Sequence, residues 1–214
     1  MVAKAELSLT NNVSSLAGVS TISLTDTTAK SLSFQASDVL ALNADKTLRV
    51  EMTNEDTLKT SSRWESASGR IENGKWVQLY EAFGSEATLE IVTDRPWRNE
   101  VKITDIDGNA ITEALDVLLL LNAINKQQFG QTGTLPIRSP LQSQGFFDPN
   151  GDLNLGALDV LVVVNHINAG NVSLGEGEQA ILVDPWMAYR QDMALMAMQD
   201  EDFQVQERRR RSRM

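Results

Sequence analysis

The sequence predicts an α+β protein: a small β-rich module over residues 1–95, a helical module built from a duplicated loop-helix unit over residues 96–170, and a linker and tail over 171–214, poorly ordered or helical. Three observations predict it. Residues 1–95 are rich in Ser, Thr and β-branched types and carry short runs that alternate apolar and polar residues, the pattern of half-buried strands. After Pro96-Trp97 two compact apolar segments appear, ALDVLLLLNAIN (114–125) and ALDVLVVVNHIN (157–168), identical at eight of twelve aligned positions without a gap. Each is preceded by an acidic loop.

In the first module the strand runs are TISL (21–24), TLRVEM (47–52), KWVQLY (75–80) and ATLEIV (87–92). Asn73-Gly74 before KWVQLY signals a two-residue hairpin, because both central residues of that turn must tolerate positive φ. Ser37-Asp38 before VLAL is suited to cap a single helical turn set among the strands.

Between the repeats, residues 126–145 are polar and contain both Gly and Pro, so they read as a loop that lets the two copies fold back on each other. Beyond Asn168 a loose segment leads to WMAYRQDMALMAMQ (186–199). Trp186, Tyr189, Met193 and Met196 would share one face of a helix there. The run RRRRSRM at the end reads as a solvated tail.

Composition narrows the function classes. A hydrophobic fraction of 42% over 214 residues is enough for a core, and a net charge of −10 argues against duplex nucleic acid as partner, since phosphate binding draws on Lys and Arg. The absence of cysteine rules out disulfides, thiolate zinc sites and a cysteine nucleophile. MVAKAELSLTNN lacks the apolar run of a secretory signal, and no stretch approaches the roughly 18 apolar residues of a membrane span. The chain is therefore expected to be soluble, without an export signal of its own.

The segment DPNGDLNLGALD (148–159) has oxygen-bearing side chains at its first, third, fifth, seventh and twelfth residues. A calcium ion takes six to eight oxygens at about 2.3–2.6 Å, and a twelve-residue loop supplies them from positions 1, 3, 5, 7, 9 and 12. In this loop the positions fall on Asp148, Asn150, Asp152, the carbonyl of Asn154, and Asp159, with Gly156 at position 9 leaving room for water. DIDGNAITEALD (105–116) repeats the register with Asp105, Asp107, Asn109, the carbonyl of Ile111, Glu113 at position 9 and Asp116. Two calcium sites are expected.

A lone match of this kind is weak, because Asp, Asn and Gly crowd ordinary turns. Two matches, each feeding the same ALDVL helix, are much more specific. Thr112 and Leu155, at position 8, are expected to meet in a short two-strand contact between the loops. Position 6, where such a loop turns sharply, holds Ala110 and Leu153 instead of Gly, and positive φ at a Cβ-bearing residue costs on the order of 1 kcal/mol. The spacing thus predicts weakened affinity in both loops, or one loop distorted and empty.

These residues resemble the paired EF-hand-like loop-helix repeats of type I dockerins, particularly the version at the C-terminal ends of large planctomycete-type bacterial proteins. PWRN (96–99) stands in place of that version's Trp-Gln-Asn-like lead-in, and the two loops and helices follow, covering about residues 96–170 with repeats at 105–125 and 148–168. The preceding region, from SLSFQASDVLAL through GSEATLEIV, is similar to a small β module of large repetitive and cadherin-like bacterial surface proteins.

The resemblance implies calcium-stabilised folding, an extracellular or cell-surface setting, and attachment to a protein partner, cohesin-like or part of the cell envelope. It places partner contacts at loop positions 10 and 11, here Ala114, Leu115, Ala157 and Leu158, which are apolar where cellulosomal relatives are often Ser-Thr-like. Near-identity of the copies would permit binding in two orientations.

An enzyme is the other class. The chain has one histidine, His166, no cysteine and no G-x-S-x-G, so no catalytic constellation converges in the sequence. Trp64, Trp76, Trp97 and Trp186 could stack on sugars, but core packing is the commoner use of aromatics. The expectation is a noncatalytic calcium-binding docking or adhesion module with no small-molecule substrate. The alternative is an accessory part of an extracellular polysaccharide-degrading enzyme. The apolar faces expected to pack carry Leu115, Leu118, Leu119, Leu158, Leu161 and Val162.

Overall fold

The computed structural model describes residues 5–26, 28–140 and 145–173, and these form a mixed α/β structure. Residues 1–168 make one compact unit; from Ala169 on a second begins, of which only the last residues of a helix are described. The expected Met-rich helix (186–199) and basic tail lie outside the described residues, as does Trp186.

The chain first alternates between two sheets. Strands β1 (Ala5–Ser8), β3 (Lys30–Ser33) and β5 (Thr57–Lys59) pair in parallel in one; β2 (Thr21–Ser23), β4 (Thr47–Glu51) and β8 (Thr88–Thr93) pair in parallel in the other. The second sheet continues antiparallel through β7 (Lys75–Ala82) to β6 (Trp64–Glu72) at its edge. All four expected strand runs are strands, and Asn73-Gly74 closes the β6–β7 hairpin with φ of 51° and 79°. The parallel pairing was not legible, because alternation reports which face is buried and not which strand lies alongside.

Alternation sorts each strand's residues. In β4 Leu48 and Val50 point into a core with Leu32, Phe34, Trp64, Tyr80 and Leu89. Arg49, facing outward, pairs with Glu72 at 2.7 Å and Glu90 at 3.1 Å. The short helix α1 (Ala36–Leu42) is capped two residues before the expected Ser37: Gln35 is the N-cap, and Asp38 accepts its N–H at 2.8 Å.

A second core follows, of Trp97, Ile106, Leu120, Ala123, Leu135, Phe147, Leu155 and Val163, between helices α2 (Ala114–Asn125) and α3 (Ala157–Ser173). Of the six residues expected to pack, Leu119 does so and Val162 is half-buried, but Leu115, Leu118, Leu158 and Leu161 are exposed; the other side chains turned inward are Val117, Leu120 and Ala123 on α2 and Val160, Val163 and Ile167 on α3. The cause is the position-12 aspartate. Asp116 and Asp159 are fully buried, and the residues four further on, Leu120 and Val163, share their face and are fully buried too, so burying the carboxylate fixes the rotation of the helix.

Residues 126–140 do more than connect. Arg138 is buried with its guanidinium about 5 Å from the rings of Trp76, Trp97 and Phe146, and it donates to the Pro96 carbonyl, tying sheet to loops. Arg95 and Glu100 form a buried ion pair at 2.8 Å. Trp64, Trp76 and Trp97 are all buried, as core residues. No helix among the described residues is long and apolar enough to cross a membrane.

Candidate metal centre

The first loop winds around Asp105. Its Oδ1 accepts the N–H groups of Gly108 and Asn109 at 3.0 and 3.1 Å, and its Oδ2 accepts that of Ala110 at 2.9 Å. Asp116, three residues into the turn that begins α2, reaches back: Oδ1 accepts Ile106 N–H at 2.7 Å and Oδ2 accepts Glu113 N–H at 2.7 Å. Position 12 is thereby bonded to the backbone of positions 2 and 9.

The second loop repeats the pattern. Asp148 Oδ1 accepts Gly151 and Asp152 N–H at 2.9 Å each, and Oδ2 accepts Leu153 N–H at 3.1 Å. Asp159 accepts Asn150 N–H at 3.3 Å and Gly156 N–H at 2.8 Å. Position 4 is glycine in both loops, with φ of 78° at Gly108 and 81° at Gly151. Position 6 takes the sharp turn despite its Cβ: φ is 67° at Ala110 and 62° at Leu153.

The electrostatics are unusual for a plain turn. Asp105, Asp116, Asp148 and Asp159 are each fully inaccessible to solvent, and among the described residues none of them forms an ion pair. Burial, foremost, pushes Asp105 up to about 7, with Asp116 and Asp107 adding repulsion and the Ala110 N–H opposing. Burial likewise raises Asp159 to about 6, and raises Asp116 and Asp148. Buried charge without a partner is expensive, and proteins resolve it with a counter-charge, a metal or a proton.

Carboxylate oxygens of Asp105, Asp107 and Asp116 all lie within 4.8 Å of one another. Two oxygens each about 2.4 Å from one ion stand at most about 4.8 Å apart, so this spacing fits a shared hard cation. Asn109, with its Oδ1 2.7 Å from Ile111 N, completes the side chains of the loop. Glu113 is exposed and is not part of the carboxylate group; it serves as N-cap of α2. In the second loop the carboxylates of Asp148, Asp152 and Asp159 do not close to that spacing, and Asn150 Nδ2 lies 3.0 Å from Asp152 Oδ2. Asp152 and Asn154 are exposed.

The expected strand contact between Thr112 and Leu155 does not form. Leu155 N–H instead donates to Gly133 O at 2.8 Å and Leu135 N–H to Leu153 O at 3.0 Å, while the Thr112 hydroxyl meets that of Thr104. Gly133 permits this pairing, since a Cβ there would lie 2.3 Å from the Leu155 carbonyl oxygen. The 133–135 segment takes the place the partner loop was expected to fill.

Two features escaped sequence reasoning. Asn99 is buried and donates to Asp105 O at 3.1 Å and Oδ2 at 3.0 Å, and Tyr80 donates to Asn99 Oδ1 at 3.1 Å. Arg98 lies against Gly151, where a Cβ would come 3.2 Å from its NH1. Nothing in the spacing of the loops points to either. The candidate partner residues Ala114, Leu115, Ala157 and Leu158 are all exposed, at the starts of the two helices, and His166 is exposed on α3. No protein-family model, curated protein or solved structure matches this chain.

Proposed function

We propose that this chain is a noncatalytic, calcium-binding docking module of dockerin-like type, borne by a secreted or cell-surface protein and attaching it to a protein partner. What carries the reading is the burial of Asp105, Asp116, Asp148 and Asp159 at the first and last positions of two like loops, where among the described residues no ion pair to them forms and only Arg98, toward Asp148, adds a nearby positive charge. Asp105, Asp107, Asn109, Asp116 and the carbonyl of Ile111 would hold one ion. Asp148, Asn150, Asp152, Asp159 and the carbonyl of Asn154 would hold the other.

Only oxygen donors are offered, a set that suits a hard cation such as calcium over zinc or copper. A bound ion supplies the positive charge the buried carboxylates lack. The residues do the rest: Asp116 and Asp159 join each loop to its helix, so the helix rotation, and with it the second core, follows from the order of the loop. That rotation turns Leu115, Leu118 and Leu121 on α2 and Leu158 and Leu161 on α3 to solvent. Exposed apolar stripes at the loop-helix junctions support a cohesin-like or cell-envelope protein as partner.

The test is thermal melting of the whole chain with calcium and with chelator. Binding to the folded state alone stabilises it by about 2.7 kcal/mol at a hundredfold excess over Kd, so calcium raises Tm by several degrees. Identical melts in the two conditions would remove the reading.

A further inference from the structure

The two loops differ in what holds them. The first is clamped on the edge strand of the five-stranded sheet: Ser66 N–H in β6 donates to Gly108 O at 2.8 Å, and Arg63 donates to Asn109 O at 3.1 Å. The strand register slips between Ser66 and Ser68, a bulge directly beside the clamp. The fit is close enough that a Cβ on Gly108 would stand 2.6 Å from Ser66 Cβ. From the sheet interior, Tyr80 in β7 donates to Asn99, which holds Asp105. Burial drives the Tyr80 hydroxyl well above its ordinary pKa, so it remains a donor. The second loop instead takes its outside backbone bonds from Trp97 and residues 133–135.

We propose that Ser66 and Tyr80 are positioning residues for the first ion site, acting through Gly108 and Asn99, so that the β unit sets calcium affinity at Asp105, Asp107 and Asp116 and leaves the second loop untouched. This rests on the calcium reading of the loops. Groups that orient metal ligands without touching the metal change affinity by about 10–100-fold when removed. Tyr80→Phe deletes only the hydroxyl and should fall at the lower end of that range.

The experiment is calorimetric titration of the full chain with calcium chloride, the two steps being assigned with Asp159→Asn, which silences the second loop. Tyr80→Phe is expected to weaken the first-loop step roughly tenfold and leave the second-loop step unchanged. Gly108→Ala is expected to weaken the same step, and Ser66→Gly, by clearing the clash, to recover part of that loss. A Tyr80→Phe chain with both steps intact, or with both equally weakened as a general loss of stability would give, overturns the proposal. So does Gly108→Ala unaffected by Ser66→Gly. Failure of the wild-type chain to take up calcium would instead overturn the reading beneath it.

Discussion

Asn99 and Asp105 are joined by two hydrogen bonds, from one amide nitrogen to the aspartate's backbone oxygen at 3.1 Å and to its carboxylate at 3.0 Å. Both residues are buried, and the amide oxygen of Asn99 is taken by Tyr80 and by the N–H groups of Val101 and Lys102. Asn99→Ala therefore orphans several buried groups at once. Each such group costs about 1–3 kcal/mol, so the variant should be among the most destabilising in the chain. Urea denaturation of the variant against wild type measures it.

A pH dependence follows from the raised carboxyls. Asp105 stands at about 7 and Asp159 at about 6 in the folded chain, against an ordinary value of 3.8, burial being the main cause. Below about pH 4 both states hold the protons. As pH rises toward 7 the unfolded chain has released them while the folded chain keeps them, so calcium-free stability falls across this window. Calcium competes with the same protons, and its affinity should climb over that window. Denaturation curves in calcium-free buffer and titrations across the range check both signs.

Ala110 adopts φ of 67° where glycine would be unstrained. Positive φ costs a Cβ-bearing residue about 1–2 kcal/mol, and glycine's extra freedom in the unfolded chain returns about 0.4–1 kcal/mol of that. Ala110→Gly is thus expected to stabilise the calcium-loaded chain by roughly 0.5–1 kcal/mol, read from the shift in the urea midpoint at constant slope.

The helix rotation makes a paired prediction. Leu120 is fully buried, and Leu120→Ala should cost about 2–5 kcal/mol. Leu118, two residues earlier in the same leucine run, is 51% exposed, and Leu118→Ser should stay within about 0.5 kcal/mol. Thermal melts of the two variants decide the phase of the helix.

This phase shows where sequence reading ran short. The repeat ALDVL and its aspartate were legible, as were the twelve-residue register and the Asn73-Gly74 hairpin. But α2 carries Val117 and four consecutive leucines after Asp116, so apolar periodicity has no phase to report; the buried carboxylate decides it. The parallel pairing of β4 with β2 and β8, and the seating of Gly108 on Ser66, are long-range relations between segments that carry no local mark. The role of residues 133–135 depended on Gly133, which in sequence is one more loop glycine.

The central claim is that two buried carboxylate loops await a hard cation. Calorimetric titration of the full chain with calcium tests it most directly: two binding steps are predicted, one lost in Asp116→Asn, the other in Asp159→Asn, and both kept in His166→Ala. A wild-type chain that takes up no calcium, or one whose binding survives both aspartate substitutions unchanged, would contradict it.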